Sequence, residues 1–193
     1  MKYPRLYPVV RAVPRAGRNL CGKAQVDFLR KYARQAAARS AAMLGPSLRS
    51  FDTAPNGAPM PVDGIYWSLS HKPDYVAGVA AGHPIGIDVE KIRPVEKQLF
   101  DKVIDDAERK LLDADQAVMF FRFWTAKEVV LKRIGVGLAG LSRCRVRQVS
   151  GDHRLVLAYE KTEYTVLQHF FNHHVAAVLK TGPEIIEWQF DWE

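Results

Sequence analysis

Cysteine is scarce in this chain: among 193 residues there are two, Cys21 and Cys144, in no metal-like spacing. Both are expected as reduced thiols of a cytoplasmic protein. No run of about 18 apolar residues is present, which argues against a membrane span. The opening stretch, MKYPRLYPVVRAVPRAGRNLC, is broken by Pro and Arg where a secretory signal needs an apolar core. Acidic residues are few in the first half. Residues 1–84 hold 12 Lys and Arg against 4 Asp and Glu, whereas residues 85–193 hold 16 against 17. The net charge of +7 therefore belongs to the first half. It points to an anionic partner, whether a nucleic acid, a phosphorylated small molecule or an acidic protein. Hydrophobic residues at 48% and charged residues at 25% are ordinary for a soluble globular chain. The length allows one large domain or two small halves.

Residues 23–44, KAQVDFLRKYARQAAARSAAML, read as an Ala-rich helix stopped by Gly45 and Pro46. Phe28, Leu29, Tyr32 and Ala36 share its apolar face, and Arg30, Lys31 and Arg34 its polar side. Those bases are either a solvated helix face or a phosphate-facing surface. A loop rich in Pro, Gly, Asn and Asp follows at 51–64. Short strand-like runs come next, IYWSLS (65–70), YVAGVA (75–80) and PIGIDVE (84–90), with turns short enough for an antiparallel meander. Helical stretches at 105–113 and 115–135 lead to further strand-like runs at 154–160, 164–170 and 174–179. Helix then strands, twice, predicts an α+β protein. It is expected as two similar halves, 1–84 and 85–193, each a helix on a small antiparallel sheet, with the active site in the cleft between them.

The chemistry concentrates in IGIDVE. Side chains alternate along a strand, so Ile87 and Val89 face one way and Asp88 and Glu90 the other. Acids about 6–7 Å apart at Cα, from a rise of about 3.3 Å per residue, repel unless a cation lies between them. Oxygen-only ligands of this kind suit Mg²⁺. The plainer alternative is an exposed strand edge. On a helix, Trp124, Glu128 and Lys132 are spaced i, i+4, i+8 and fall on one stripe, either a surface ion pair or a third acid and a phosphate-binding lysine closing over the strand acids. Ser70 and His71 end a strand, where His71 is either a surface turn residue or an anion ligand. HFFNHH (169–174) invites a zinc reading, but His169, His173 and His174 lack a closed ligand set and are read as turn and strand residues.

Taken together, NGAPMPVDGIYWSLSHKPDYVAGVAAGHPIGIDVEKIRP and FWTAKEVVLKRIGVGL resemble a 4′-phosphopantetheinyl transferase, and more narrowly the two-half, single-chain type that activates carrier proteins of peptide, polyketide and fatty-acid synthases. The matching patterns are G-x-P, S-H at a strand end, G-I-D-V-E, and W-x-x-K-E-x-x-x-K followed by G-x-G-L, within about residues 49–141. The resemblance implies transfer of the phosphopantetheine arm of coenzyme A to a serine of an apo carrier protein, with release of adenosine 3′,5′-bisphosphate. It implies Asp88, Glu90 and Glu128 as ligands of Mg²⁺, with Mn²⁺ as the alternative ion. Glu128, directly or through a water it orients, is the implied base. Lys132 would contact the pyrophosphate with help from Lys127, and Ser70 and His71 the coenzyme A phosphates. Two departures stand out. Ala58 occupies a position where the family often has lysine, and the family's arginine near the start of the first helix has no clear counterpart, since Lys23 or Gln25 falls there. Arg30, Lys31, Arg34 and Arg49 are the remaining candidates for the adenosine 3′-phosphate. The expected partners are coenzyme A and an acidic carrier, with no nucleic acid and no membrane, the chain acting as a monomer. The alternatives are a Mg²⁺-dependent nuclease, for which the D-x-E element lacks a lysine two residues on (position 92 is Ile), and a non-catalytic nucleic-acid-binding domain, which leaves the acids unexplained.

Overall fold

Small side chains set the packing of the first half. In the computed structural model, which describes residues 4–45 and 47–192, two short strands, β1 (Arg5–Leu6) and β2 (Val9–Ala12), precede a single helical turn, α1 (Arg15–Arg18). The long helix α2 (Gly22–Leu44) follows, burying Leu29, Ala33, Ala36, Ala37, Ser40 and Ala41. Its C-cap is Gly45 at φ 108°, a backbone state that favours glycine; Pro46 lies outside the described residues. Strands β3 (Tyr66–His71) and β4 (Tyr75–Ala81) form an antiparallel pair beneath it. A Cβ at Gly78 of β4 would lie 2.3 Å from the backbone nitrogen of Ala37, so helix and sheet touch backbone to backbone.

The second half begins with β5 (Ile87–Lys91), followed by α3 (Lys97–Val103), α4 (Asp106–Arg109) and α5 (Gln116–Ile134). The α5 helix starts on the Asp115 carboxylate, which accepts from Ala117 and Val118, and ends at Gly135 in the left-handed region. A 3₁₀ turn over Gly137–Arg143 leads to β6 (Cys144–Ser150), β7 (Arg154–Tyr159), β8 (Thr162–Phe171) and β9 (His174–Lys180). Short strands β10 (Ile185–Ile186) and β11 (Gln189–Asp191) close the described chain.

The mixed α+β architecture agrees with the sequence expectation, but the strand pairing corrects it. The expected meander of β3, β4 and β5 does not form. The four-stranded sheet has the order β11-β2-β4-β3, so both edges of β4 are taken, and β5 instead pairs antiparallel with β9 in a five-stranded sheet of order β5-β9-β8-β7-β6. The first sheet is also not purely antiparallel, because β11 returns from the far end of the chain and pairs parallel with β2. Asp191 on β11 bonds Arg11 at 2.9 Å and Arg39 at 3.0 Å. The main core lies between α5 and the five-stranded sheet, with Phe123, Ala126, Val129 and Val130 against Ile87, Val89 and Val175–Leu179. Cys144 is buried in it, which pushes its thiol up to about 12 and leaves it inert.

One contact sets the distance between α5 and β5. A Cβ at Gly86 would sit 2.1 Å from the carbonyl oxygen of Val129. Gly86→Ala therefore forces the helix off the strand, and a melting temperature lower by roughly 2–12 °C is expected for an overpacked core in a chain of this size. Gly82→Ala is the control, since a Cβ there meets nothing within 4 Å. Equal melting temperatures for the two variants would contradict this account.

Candidate active site

Two elements, β3 and α5, converge on the acids of β5. Ile87 and Val89 point into the core. Asp88 and Glu90 take the other face, yet they are only 4% and 7% exposed, so the exposed-edge alternative fails. That face is covered by β3 and by α5. Along β3, alternate residues each bond a residue of β5. The Ser68 hydroxyl accepts from the Ile87 N–H at 3.1 Å, Ser70 donates to Asp88 Oδ1 at 2.7 Å, and Lys72, just past the strand end, reaches Glu90 Oε1 at 2.7 Å. The helix supplies the other side. Trp124 Nε1 donates to Glu90 Oε1 at 3.1 Å, and the Lys132 ammonium donates to Asp88 Oδ1 at 2.8 Å and to the Ile87 carbonyl at 2.9 Å. The Trp124, Glu128, Lys132 stripe thus faces the strand acids, and Lys132 is not merely the partner of a surface pair.

Burial governs the electrostatics. It pushes the Glu90 carboxyl above the ordinary range, and neighbouring Asp88 adds to the rise while Lys72 and Trp124 oppose it. Glu128 is also pushed up, first by burial and then by Asp88 and Glu90, with Lys132 opposing. The three acids are therefore electrostatically linked, although among the described residues no three His, Cys, Asp or Glu side chains form a ready-made metal-ligand group. Their chemistry fits a hard divalent cation nonetheless. All donors are carboxylate oxygens, and Asp88 Oδ2 is buried without a hydrogen-bond partner, a costly arrangement that a cation relieves.

Beside the acids opens a cleft of about 410 Å³, into which Arg30 and Arg34 of α2, His71 and Lys132 all project. Burial lowers the His71 imidazole, and the charges of Arg30, Lys132 and Lys72 lower it further, as expected of a site built for an anion. Loop residues Gly57 and Pro59 line both this cleft and a smaller one of about 200 Å³ that contains Glu128 and Ala58. Lys31 and Arg49 do not line the larger cleft.

Two expectations need correction. Lys127 is 1% exposed and faces the core, where it pairs with Glu108 at 2.8 Å and donates to the Val103 carbonyl at 2.6 Å. It is unavailable to a phosphate, because a step of one residue turns the side chain about 100° around the helix from Glu128. Ser70 is buried with its hydroxyl committed to Asp88, so it positions a carboxylate and does not line the 410 Å³ cleft. The residue that sequence reasoning missed is Lys72. Strand alternation carried the signal, since Ser68, Ser70 and Lys72 share one side.

Residues 84–179, about half of the chain, match the family model described as the 4′-phosphopantetheinyl transferase superfamily. Among curated proteins, the chain is 33% identical over 104 residues to 4′-phosphopantetheinyl transferase psf-1 of Bacillus pumilus, covering 50% of this chain and 45% of that protein. It is 32% identical over 113 residues to 4′-phosphopantetheinyl transferase HetI of a Nostoc species, covering 52% and 48%. It is 30% identical over 95 residues to 4′-phosphopantetheinyl transferase Sfp of Bacillus subtilis, covering 46% and 42%. The chain thus spans less than half the length of the curated relatives it matches. Because the matched segment carries both β5 and α5, and with them all three acids of the site, the chain belongs to the 4′-phosphopantetheinyl transferase superfamily.

Proposed function

We propose that the chain transfers the 4′-phosphopantetheine arm of coenzyme A to a serine of an acidic apo carrier protein, acyl or peptidyl, releasing adenosine 3′,5′-bisphosphate. The observation that carries this reading is the seating of Asp88, Glu90 and Glu128 beside a cleft lined by Arg30, Arg34, His71 and Lys132. Hard oxygen donors adjoin a cationic cleft, as a pyrophosphate substrate requires. Residues 1–84 serve as the basic, coenzyme-contacting half and residues 85–193 as the half that carries the acids. The chain works as a cytoplasmic monomer; among the described residues no helix is long and apolar enough to cross a membrane.

In the reaction, the carrier serine oxygen attacks the phosphorus that bears the pantetheine arm. A new P–O bond forms, the bond from that phosphorus to the bridging oxygen breaks, and the electron pair leaves with adenosine 3′,5′-bisphosphate. Glu128 accepts the serine proton, directly or through a water it orients. Arg30, Arg34 and His71 hold the phosphates of the adenosine side, which offsets the Ala58 departure, and Lys132 meets the pyrophosphate. Asp88, Glu90 and Glu128 would hold Mg²⁺ or Mn²⁺, which when bound neutralises charge on the pyrophosphate and the departing phosphate.

Incubation with coenzyme A, Mg²⁺ and a panel of apo carriers is expected to add the mass of one phosphopantetheine arm to a carrier, as read by mass spectrometry. No gain with any carrier would overturn the reading. Glu128→Ala is expected to cut the transfer rate by roughly 10²–10⁴-fold without lowering the melting temperature; unchanged turnover would remove Glu128 from the base role. The raised pKa values of Glu90 and Glu128 mean that both hold protons to higher pH than ordinary glutamates, so protons compete with the metal. Divalent-cation affinity is therefore expected to fall on acidification before the ordinary glutamate value of about 4.3 is reached. A binding titration that weakens only near that value would contradict the assignment.

A further inference from the structure

The cleft of about 410 Å³ receives two arginines of α2, and their settings differ. Among the described residues no Asp or Glu lines this cleft, and neither guanidinium has an ion-pair partner. Two exposed guanidiniums beside one cleft, with no acid between them, attract anions. Arg30 and Arg34 are one helical turn apart, about 6 Å along the axis from a rise of about 1.5 Å per residue. Arg30 stands toward the acids of the seam: after burial, its charge is the first that lowers the His71 imidazole, ahead of Lys132 and Lys72. Arg34 stands toward the loop at 51–64, where its Cζ lies over the Phe51 ring, 5.8 Å from the centroid. Phe51 is itself held, since it meets the buried Trp67 edge-on at 5.0 Å, and Trp67 Nε1 donates to the Met60 carbonyl at 2.9 Å.

A guanidinium held against an aromatic face still presents its N–H fork at its edge, free for bidentate bonds to a phosphate. The order along the cleft is Lys132 beside Asp88, then His71 and Arg30, then Arg34 on Phe51. A nucleotide with one phosphate on each side of its ribose fits that order. The 5′ phosphate, which continues into the pyrophosphate, belongs with His71 and Arg30, and the 3′ phosphate belongs one helical turn further on. We propose that Arg34, held by Phe51, binds the 3′-phosphate of coenzyme A and makes this chain select coenzyme A over its dephospho form, whereas Arg30 serves both forms alike. Phe51 is a positioning residue that acts through Arg34. This rests on the reading of the cleft as the coenzyme site.

The test is calorimetric binding of coenzyme A and of dephospho-coenzyme A to the purified full chain in Mg²⁺ buffer, without a carrier. The native protein is expected to bind coenzyme A at least about tenfold more tightly than the dephospho form. Arg34→Gln is expected to weaken coenzyme A binding by roughly 10–100-fold and dephospho-coenzyme A binding by less than about threefold, so that the preference disappears. Arg30→Gln is expected to weaken both ligands by the same factor, within about threefold. Phe51→Leu is expected to reduce the preference by roughly three- to tenfold while the dephospho form binds as before. Both arginines are exposed on α2, so the melting temperatures of their variants are expected to stay near the native value. Arg34→Gln with the native preference, Arg30→Gln without it, or a native protein that binds both ligands equally overturns the assignment and leaves the coenzyme reading standing. Unchanged preference in Phe51→Leu overturns the positioning role of Phe51. Failure of the native protein to bind either ligand overturns the coenzyme reading and this proposal together.

Discussion

Three carboxylates share one buried seam between β5 and α5, and the rest of the site is arranged around the cost of that burial. Asp88 and Glu90 are almost fully buried, and burial raises both Glu90 and Glu128. Charges are brought out of water only where partners repay the loss. The seam provides them from both sides: a serine and a lysine from the β3 end, and an indole N–H and a lysine from α5. One carboxylate oxygen, Asp88 Oδ2, is still left without a partner. An arrangement this costly is stable only because the core beneath it is tightly packed, with Ile87 and Val89 fully buried against Val129 and Val130.

The fold makes the seam possible by separating strands that are neighbours in sequence. β4 is enclosed by β2 and β3, so β5 leaves the first sheet and joins β9 in the second. That crossing places β5 where its polar face meets the end of β3 and the flank of α5. Gly86 lets α5 approach to backbone contact, which brings the Trp124, Glu128, Lys132 stripe within reach of the acids. On the far side, α2 presents Arg30 and Arg34 to a cleft that also takes Lys132, the α5 lysine paired with Asp88.

Much of this was legible in the sequence. The two long helices carry their stop signals, Gly45 and Gly135, and the alternation of IGIDVE separated the core face, Ile87 and Val89, from the face that carries Asp88 and Glu90. The stripe of residues four apart on α5 pointed to the right face. Lys127 shows the limit of reading motifs as strings: it adjoins Glu128 in sequence, but the helix turns it into the core, where it pairs with Glu108. The short strands β2 and β11 were not legible, because Val9–Ala12 and Gln189–Asp191 gain their identity from partners at the far end of the chain. The pairing of β5 with β9 depended on them. Lys72 was overlooked for a different reason, since its meaning appears only when the face of β3 is laid against β5.

The central claim is that the seam formed by β5 and α5 holds a divalent cation on Asp88, Glu90 and Glu128. Crystals grown with Mn²⁺ and coenzyme A test it most directly, because the metal's anomalous scattering locates the ion without reference to any motif. The account predicts one strong anomalous peak bounded by these three carboxylates, with the coenzyme's pyrophosphate beside it and its adenosine side toward Arg30 and Arg34. A peak held by other residues, or coenzyme bound away from the seam with no ion between the acids, would contradict it.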